Sequence, residues 1–271
     1  MLLPGMLVVF TVVVIPMLQL VRYSFNHFDP VEMMQAAFTF ENYSKFFGDA
    51  YYHDVLLTTL EVALGCTLLS LLLGFPVAYS LAKTQSRFKS VLVALIIFPL
   101  LVGSVVRAAG WMVIFGNQGF VNKSLMFLGF INEPIRILYT PLAVVLGTAA
   151  VVLPYMILTL QSVLEGLDLS VEEAARNLGA SSFQCFYRII LPLAIPGIAA
   201  GTMLVLILCM NAYATPVLLG GTGIQMMAPT VYDQIAKSSN WPFGSALAVV
   251  LMVATFAVAV FSNSVIRRRY R

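Results

Sequence analysis

Carboxylates, a hydroxyl and small residues gather at helical spacing in one segment, Ser170-Val171-Glu172-Glu173-Ala174-Ala175-Arg176-Asn177-Leu178-Gly179. Ser170 and Glu173 make an S-x-x-E capping box, in which the hydroxyl accepts from the Glu173 N–H and the carboxylate returns to the Ser170 N–H. Glu172 and Glu173 also favour the positive start of a helix. Gly179 suits the left-handed position just past its end. The spacing predicts a helix over 171–178. A second helix is expected over 183–190, capped by Ser181 or Ser182, with Pro192 in the first turn of the next span. Ala174 and Ala175 are small enough to let another surface approach closely. This is recognition chemistry rather than catalysis. Adjacent carboxylates face different sides of a helix, so Glu172 and Glu173 are a poor acid/base pair.

No other part of the chain offers catalytic chemistry. There is no GxxxxGK[ST] phosphate loop, no GxSxG, no HExxH and no dinucleotide fingerprint after a strand. Gly220-Gly221-Thr222-Gly223 follows no strand and is a weak phosphate candidate. Cys66, Cys185 and Cys209 match no zinc spacing. Cys66 and Cys209 lie in apolar runs, where a free thiol packs as a small hydrophobe. His27 and His53 stand alone in polar stretches. No metal, bound cofactor or nucleic-acid partner is expected, and the chain is not read as an enzyme.

The elements that carry these residues are membrane spans. The chain has 271 residues, of which 60% are hydrophobic and 10% charged, with a mean hydropathy of +0.93. A soluble fold of this size has too little interior to hide that apolar surface. A bilayer core takes about 20 apolar residues as helix. Six stretches qualify: Leu2–Val21, Val55–Ala82 with Pro76, Ser90–Phe115 with Pro99, Leu138–Gln161 with Pro154, Leu191–Thr215 with Pro196, and Phe243–Ile266. They are too long and too uniformly apolar for barrel strands, and their prolines predict kinks. The first is too long for a signal peptide and lacks a basic start. It begins at Met1, so the cytosolic stretch ahead of it is expected to be unusually short or missing. The fold class expected is an all-α polytopic transmembrane bundle of about six spans, forming one domain over 1–271.

Basic residues orient the spans. Lys83, Arg87 and Lys89, then Arg176 and Arg188, then Arg267, Arg268, Arg269 and Arg271 fall in alternate connections, which places loops 83–89 and 162–190 and both termini on the cytoplasmic side. Arg22 opposes the rule locally. The aromatic segment 23–54 is expected along the interface, and 117–137 is loosely amphipathic through Leu125, Leu128 and Ile131.

An ionisable residue inside a span is a pathway candidate by default. Arg107 is the clearest, with Trp111 one turn on. Snorkelling to the headgroups is its alternative use. Glu61, near the outer boundary of the second span, is another candidate, as are Asn211 and Tyr213 in the outer half of the fifth. A cation prefers carboxylates and aromatic faces, and Arg107 alone would disfavour one.

The inner loop carries a resemblance. Glu173-Ala174-Ala175, Gly179 after three residues, and Ile189-Ile190-Leu191-Pro192 after nine more resemble the EAA loop of binding-protein-dependent ABC transporter permeases, including its place before the last two spans. Further similarity lies in Gly74-Phe75-Pro76-Val77-Ala78-Tyr79, Leu153-Pro154-Tyr155-Met156-Ile157-Leu158, Ala214-Thr215-Pro216-Val217-Leu218-Leu219-Gly220-Gly221 and Trp241-Pro242-Phe243-Gly244. Val106-Arg107-Ala108-Ala109-Gly110-Trp111 also matches, except that Gly110 stands where Ala is common. It is closest to spermidine/putrescine-type permeases, and related permeases carry other amines, amino-acid-like compounds, opines or phosphonates.

The resemblance implies a type I importer permease fold in a bacterial inner membrane. In that family the helix–Gly–helix element docks into a cytoplasmic ATPase subunit and transmits its closure. Glu173, Ala174, Ala175 and Gly179, within a coupling loop over 162–192, would be the coupling residues. The partners implied are a dimer of ATPase subunits carrying ATP and Mg, a second permease subunit that is a paralogue, and an extracytoplasmic solute-binding protein. The competing reading is a secondary transporter with its own ion coupling. That reading needs a midplane carboxylate and paired repeats, and it leaves the inner loop unexplained.

Overall fold

The computed structural model describes residues 6–8, 10–167 and 170–268, without the side chains of 170, 173 and 262–268. The expectations for residues 2–5, Asp168, Arg269 and Arg271, and the side-chain bonds expected of Ser170 and Glu173, lie outside these. Among the described residues the chain is helical, with one isolated bridge between His27 and Gln35. In order the helices are α1 (Ile15–Tyr23), α2 (Glu41–Gly48), α3 (Ala50–Lys83), α4 (Lys89–Ile97), α5 (Ser104–Phe115), α6 (Phe120–Phe127), α7 (Pro141–Glu165), α8 (Ser170–Asn177), α9 (Ser182–Cys185), α10 (Leu191–Met210), α11 (Met227–Tyr232) and α12 (Trp241–Arg268). Five continuous helical stretches are long and apolar enough to cross a bilayer: Met6–Tyr23, Ala50–Lys83, Pro141–Glu165, Ser182–Met210 and Trp241–Phe261.

The third expected span departs from a single helix. Lys89–Leu101 and Ser104–Phe127 qualify only as a pair, bent by 95°. Pro99 has no N–H for the ladder, and the chain tightens into a 3-10 turn over Phe98–Leu101. Val102 and Gly103 then adopt extended ψ values of 130° and 144°, which ends the helix outright. Pro76, Pro154 and Pro196 lie inside continuous helices.

The chain divides into two compact units. One comprises Met1–Glu61 and Ile224–Ala257, the other Val62–Gly223 and Val258–Arg271. In the first, buried Asn42 donates 2.9 Å bonds to the carbonyls of Ser24 and Asn26. The 23–54 segment folds on itself here: Phe25 packs on Phe38, Phe40 and Tyr43 at 4.9–5.4 Å between ring centroids. Arg22, which opposes the charge rule, donates to Asn26 and to the Ala37 carbonyl and so serves this turn. Tyr52 meets Phe243 edge-on at 5.0 Å, and the Thr59 hydroxyl accepts from the Met227 N–H at 2.8 Å.

In the second unit α7 and α10 pack closely, and two glycines a turn apart allow it. A Cβ on Gly197 would stand 2.9 Å from Cβ of Val163, and one on Gly201 would stand 2.8 Å from Sδ of Met156. The GxxxG spacing thus lets the α10 backbone lie against α7, the usual device where lipid gives no hydrophobic drive between helices. The 117–137 segment forms α6, tied down by buried Asn122, which bonds the Gly116 carbonyl and both backbone groups of Ile135.

Candidate coupling loop and pathway residues

α8 ends as its sequence dictates. Gly179 has φ of +85°, the Ala180 N–H donates to the Ala175 carbonyl at 3.0 Å, and the Gly179 N–H donates to Arg176 at 3.0 Å. These are the paired bonds of a Schellman stop. A Cβ on Gly179 would meet nothing within 4 Å, so its requirement is conformational rather than steric. The next helix starts at a capping box: the Ser181 hydroxyl accepts from the Gln184 N–H at 3.3 Å, and the Gln184 side chain accepts from the Ser181 N–H at 3.0 Å. Of the two serines proposed as cap, Ser181 is the one used.

This second helix does not stop at Ile190. It widens into a π turn over Phe186–Ile190 and runs directly into α10. Pro192 can make no bond to the Arg188 carbonyl and its ring crowds that carbonyl, and the wider turn accommodates both effects.

The helix–Gly–helix element shows an apolar surface. Leu178 is 90% exposed, Phe183 74% and Tyr187 62%, and the last two rings stack at 6.1 Å. Ala174 is exposed beside them, Ala175 is half-buried and Gly179 is exposed. Leu178, Phe183 and Tyr187 were not singled out by sequence, although a leucine beside a helix-ending glycine on a polar loop is a visible signal.

The opposite side of α8 is held by Glu172, which the sequence marks only as favouring the positive helix start. Glu172 is 6% exposed. Its carboxylate accepts from Nζ of Lys83 at 2.6 Å, from Nη2 of Arg176 at 2.7 Å and from the Tyr79 hydroxyl at 3.3 Å. Lys83 also lies 4.4 Å above the Tyr79 ring. Burial opposes ionisation of Glu172. The Lys83 bond and charge, followed by the Arg176 charge, outweigh it and hold the carboxyl below the usual carboxylate range. Bonds to a charged group contribute about 1.5–3 kcal/mol each, and the share of Arg176, half in solvent, falls at the low end. A second ion pair joins Lys89 to Glu165 at 2.8 Å. Loops 83–89 and 162–190, assigned to one side by their basic residues, are therefore in contact at one end of this unit.

The pathway candidates lie on α3, on α5 and in the turn after α10. Arg107 sits one turn into α5 and its Nη1 donates to the Pro99 carbonyl at 2.9 Å, which ties the two arms of the bend. Its Nε is buried without a partner. Trp111, on the same face, packs on Phe115 at 4.9 Å. Asn211 caps α10 by donating to the Ile207 carbonyl at 2.9 Å, and Tyr213 is 39% exposed. Glu61 is exposed on the part of α3 that belongs to the other compact unit.

Comparison with known proteins gives consistent results. The family model for the inner membrane component of binding-protein-dependent transport systems matches residues 67–271. The chain is 38% identical to the spermidine/putrescine transport system permease protein PotB of Escherichia coli over 249 residues, covering 92% of this chain and 90% of the relative. It is 36% identical to the protein of that name from Haemophilus influenzae over 260 residues, covering 95% and 91%. Among solved structures, a chain of a bacterial alginate ABC transporter in complex with an alginate pentasaccharide-bound periplasmic protein superposes with a TM-score of 0.77. That match has 18% identity and covers 99% of this chain and 93% of the other.

Proposed function

The chain belongs to the family of binding-protein-dependent transport system inner membrane components, and on that premise we propose that it is the membrane-spanning subunit of an ATP-driven importer of polyamines. The observation that carries this is the similarity to spermidine/putrescine permeases over more than nine-tenths of the chain. Family membership supports this over the secondary transporter reading, which needs its own ion coupling within this chain.

Charge placement supports a cationic solute. The segments opposite the basic loops carry Asp29, Glu32, Glu41, Asp49, Asp54, Glu61, Glu133 and Asp233, against Arg22, Lys45, Lys123, Arg136 and Lys237. An excess of carboxylates on the side where solute arrives raises the local concentration of cations. Arg107, whose charge would disfavour a cation, is tied to a backbone carbonyl.

The subunits proposed around it are a cytoplasmic ATPase dimer holding ATP and Mg, a paralogous second permease and an extracytoplasmic solute-binding protein. Both termini lie in the cytoplasm. The loop over 162–192 docks on the ATPase through Glu173, Ala174, Ala175 and Gly179, with Leu178 and Phe183 as the apolar part of that surface. Solute passes Glu61, Arg107, Trp111, Asn211 and Tyr213 within a single permease domain.

The test is uptake of labelled spermidine and putrescine by cells lacking the chain. The proposal expects uptake to be lost and to return when the chain is supplied. Unchanged polyamine uptake, with another solute lost instead, would overturn the choice of solute.

A further inference from the structure

The two halves of the helix–Gly–helix element are attached to α3 differently. The segment after Gly179 is packed on it: Phe186 meets Phe75 at 5.6 Å and Tyr79 at 6.3 Å, both edge-on. The helix before Gly179 is attached through a polar bridge from Glu172 to Lys83 and Tyr79. A cleft lined by Ala82, Leu164, Leu167, Ile189 and Leu193 opens beside that bridge. A buried carboxylate with three donors has nowhere else to go when the helix moves, because separation would leave it in a low-dielectric site without its cations. Apolar rings, by contrast, can slide over one another.

We propose that Glu172 is a positioning residue that makes α8 and the inner end of α3 move as one body, so that displacement of the docking surface reaches the membrane through the Glu172–Lys83 bridge. This rests on the reading of the loop as the ATPase-docking element. It assigns the transmitting role to the carboxylate before the Glu-Ala-Ala triplet, on the face of α8 turned away from the exposed Ala174 and Leu178.

The experiment uses the assembled complex in proteoliposomes and measures solute taken up per ATP hydrolysed. Glu172→Gln keeps the shape of the side chain and removes its charge, and Lys83→Gln breaks the same bridge from the other end. Both are expected to insert and retain the ATPase subunit, with uptake per ATP reduced by about fivefold or more. Glu172→Asp, which keeps the negative charge beside Lys83 and Arg176, should recover much of the ratio lost in Glu172→Gln. A merely structural role would not produce that recovery in a coupling ratio.

Wild-type uptake per ATP in both neutral variants overturns the inference. So does loss of membrane abundance in both, which assigns the bridge to folding. Failure of the wild-type complex to bind an ATPase subunit, or to respond to loaded binding protein, instead defeats the reading of the loop on which the inference stands.

Discussion

The two compact units are built with different polar chemistry. Of the fifteen Lys and Arg in the chain, all but Arg22, Lys45 and Lys237 lie in the unit comprising 62–223 and 258–271. Most of the twelve acids lie in the other. In the acidic unit the loops are fixed by side chains bonding to nearby backbone, as Asn42 does to Ser24 and Asn26 and Arg22 to Ala37. Lys45 is spent over the face of the Phe243 ring at 4.3 Å, leaving carboxylates in excess. In the basic unit Asn122 holds the 117–137 segment in the same way, but loops 83–89 and 162–190 are joined by ion pairs between segments far apart in sequence, Lys83 with Glu172 and Lys89 with Glu165. Local bonds hold a surface in one shape, whereas long-range ion pairs tie separate helices so that moving one moves the other. The difference separates a unit whose carboxylates outnumber its cations from a unit whose helices are tied to one another by ion pairs.

The largest effect that would test this contrast is expected at Gly179. A residue other than glycine held at left-handed φ costs roughly 1–2 kcal/mol, and a β-branched one more. Gly179→Val should therefore unwind the Schellman stop and swing the exposed Leu178 away from Phe183 and Tyr187. Co-purification should show loss of most of the ATPase subunit while the permease remains in the membrane at normal abundance.

Next comes packing inside the basic unit. Gly197→Leu drives a side chain into Val163, and overpacking of this kind costs about 1–3 kcal/mol. Membrane abundance and thermal midpoint should both fall, with no selective effect on coupling.

In the acidic unit, Asn42→Ala strands two carbonyls, at a cost of about 1–3 kcal/mol. The thermal midpoint of the complex should drop by a few degrees while uptake per ATP stays at the wild-type value. A coupling defect in that variant would break the contrast.

The smallest effect is one of pH. The Glu172 carboxyl lies below its usual range in the folded loop and near about 4.3 in the unfolded chain. Its stabilisation is complete above the unfolded value and is lost as pH falls through the depressed one. The midpoint difference between wild type and Glu172→Gln should stay constant from about pH 8 to about pH 5 and shrink below about pH 4.

How much was legible in the sequence depends on the range of the interactions. Gly179 at positive φ, the Ser181 cap and most spans depend on local rules and are read within a few residues. The break at Val102–Gly103 was not, because Pro99 announces a kink without giving its angle, and Pro76, Pro154 and Pro196 lie in continuous helix. The pairing of Glu172 with Lys83 spans 89 residues, and nothing in either neighbourhood signals it. Lys83 was informative only about sidedness. The Gly197–Gly201 spacing is visible in the sequence, but its neighbours Val163 and Met156 are not.

The central claim is that the loop ending at Gly179 passes ATP-driven motion to a polyamine path. It is tested most directly by ATP hydrolysis of complexes reconstituted with the wild-type chain or with Gly179→Val, measured with and without spermidine-loaded binding protein. The account predicts stimulation by the loaded protein in the wild type and none in the variant at equal permease content. Equal stimulation in both, with the ATPase subunit fully retained, would contradict it.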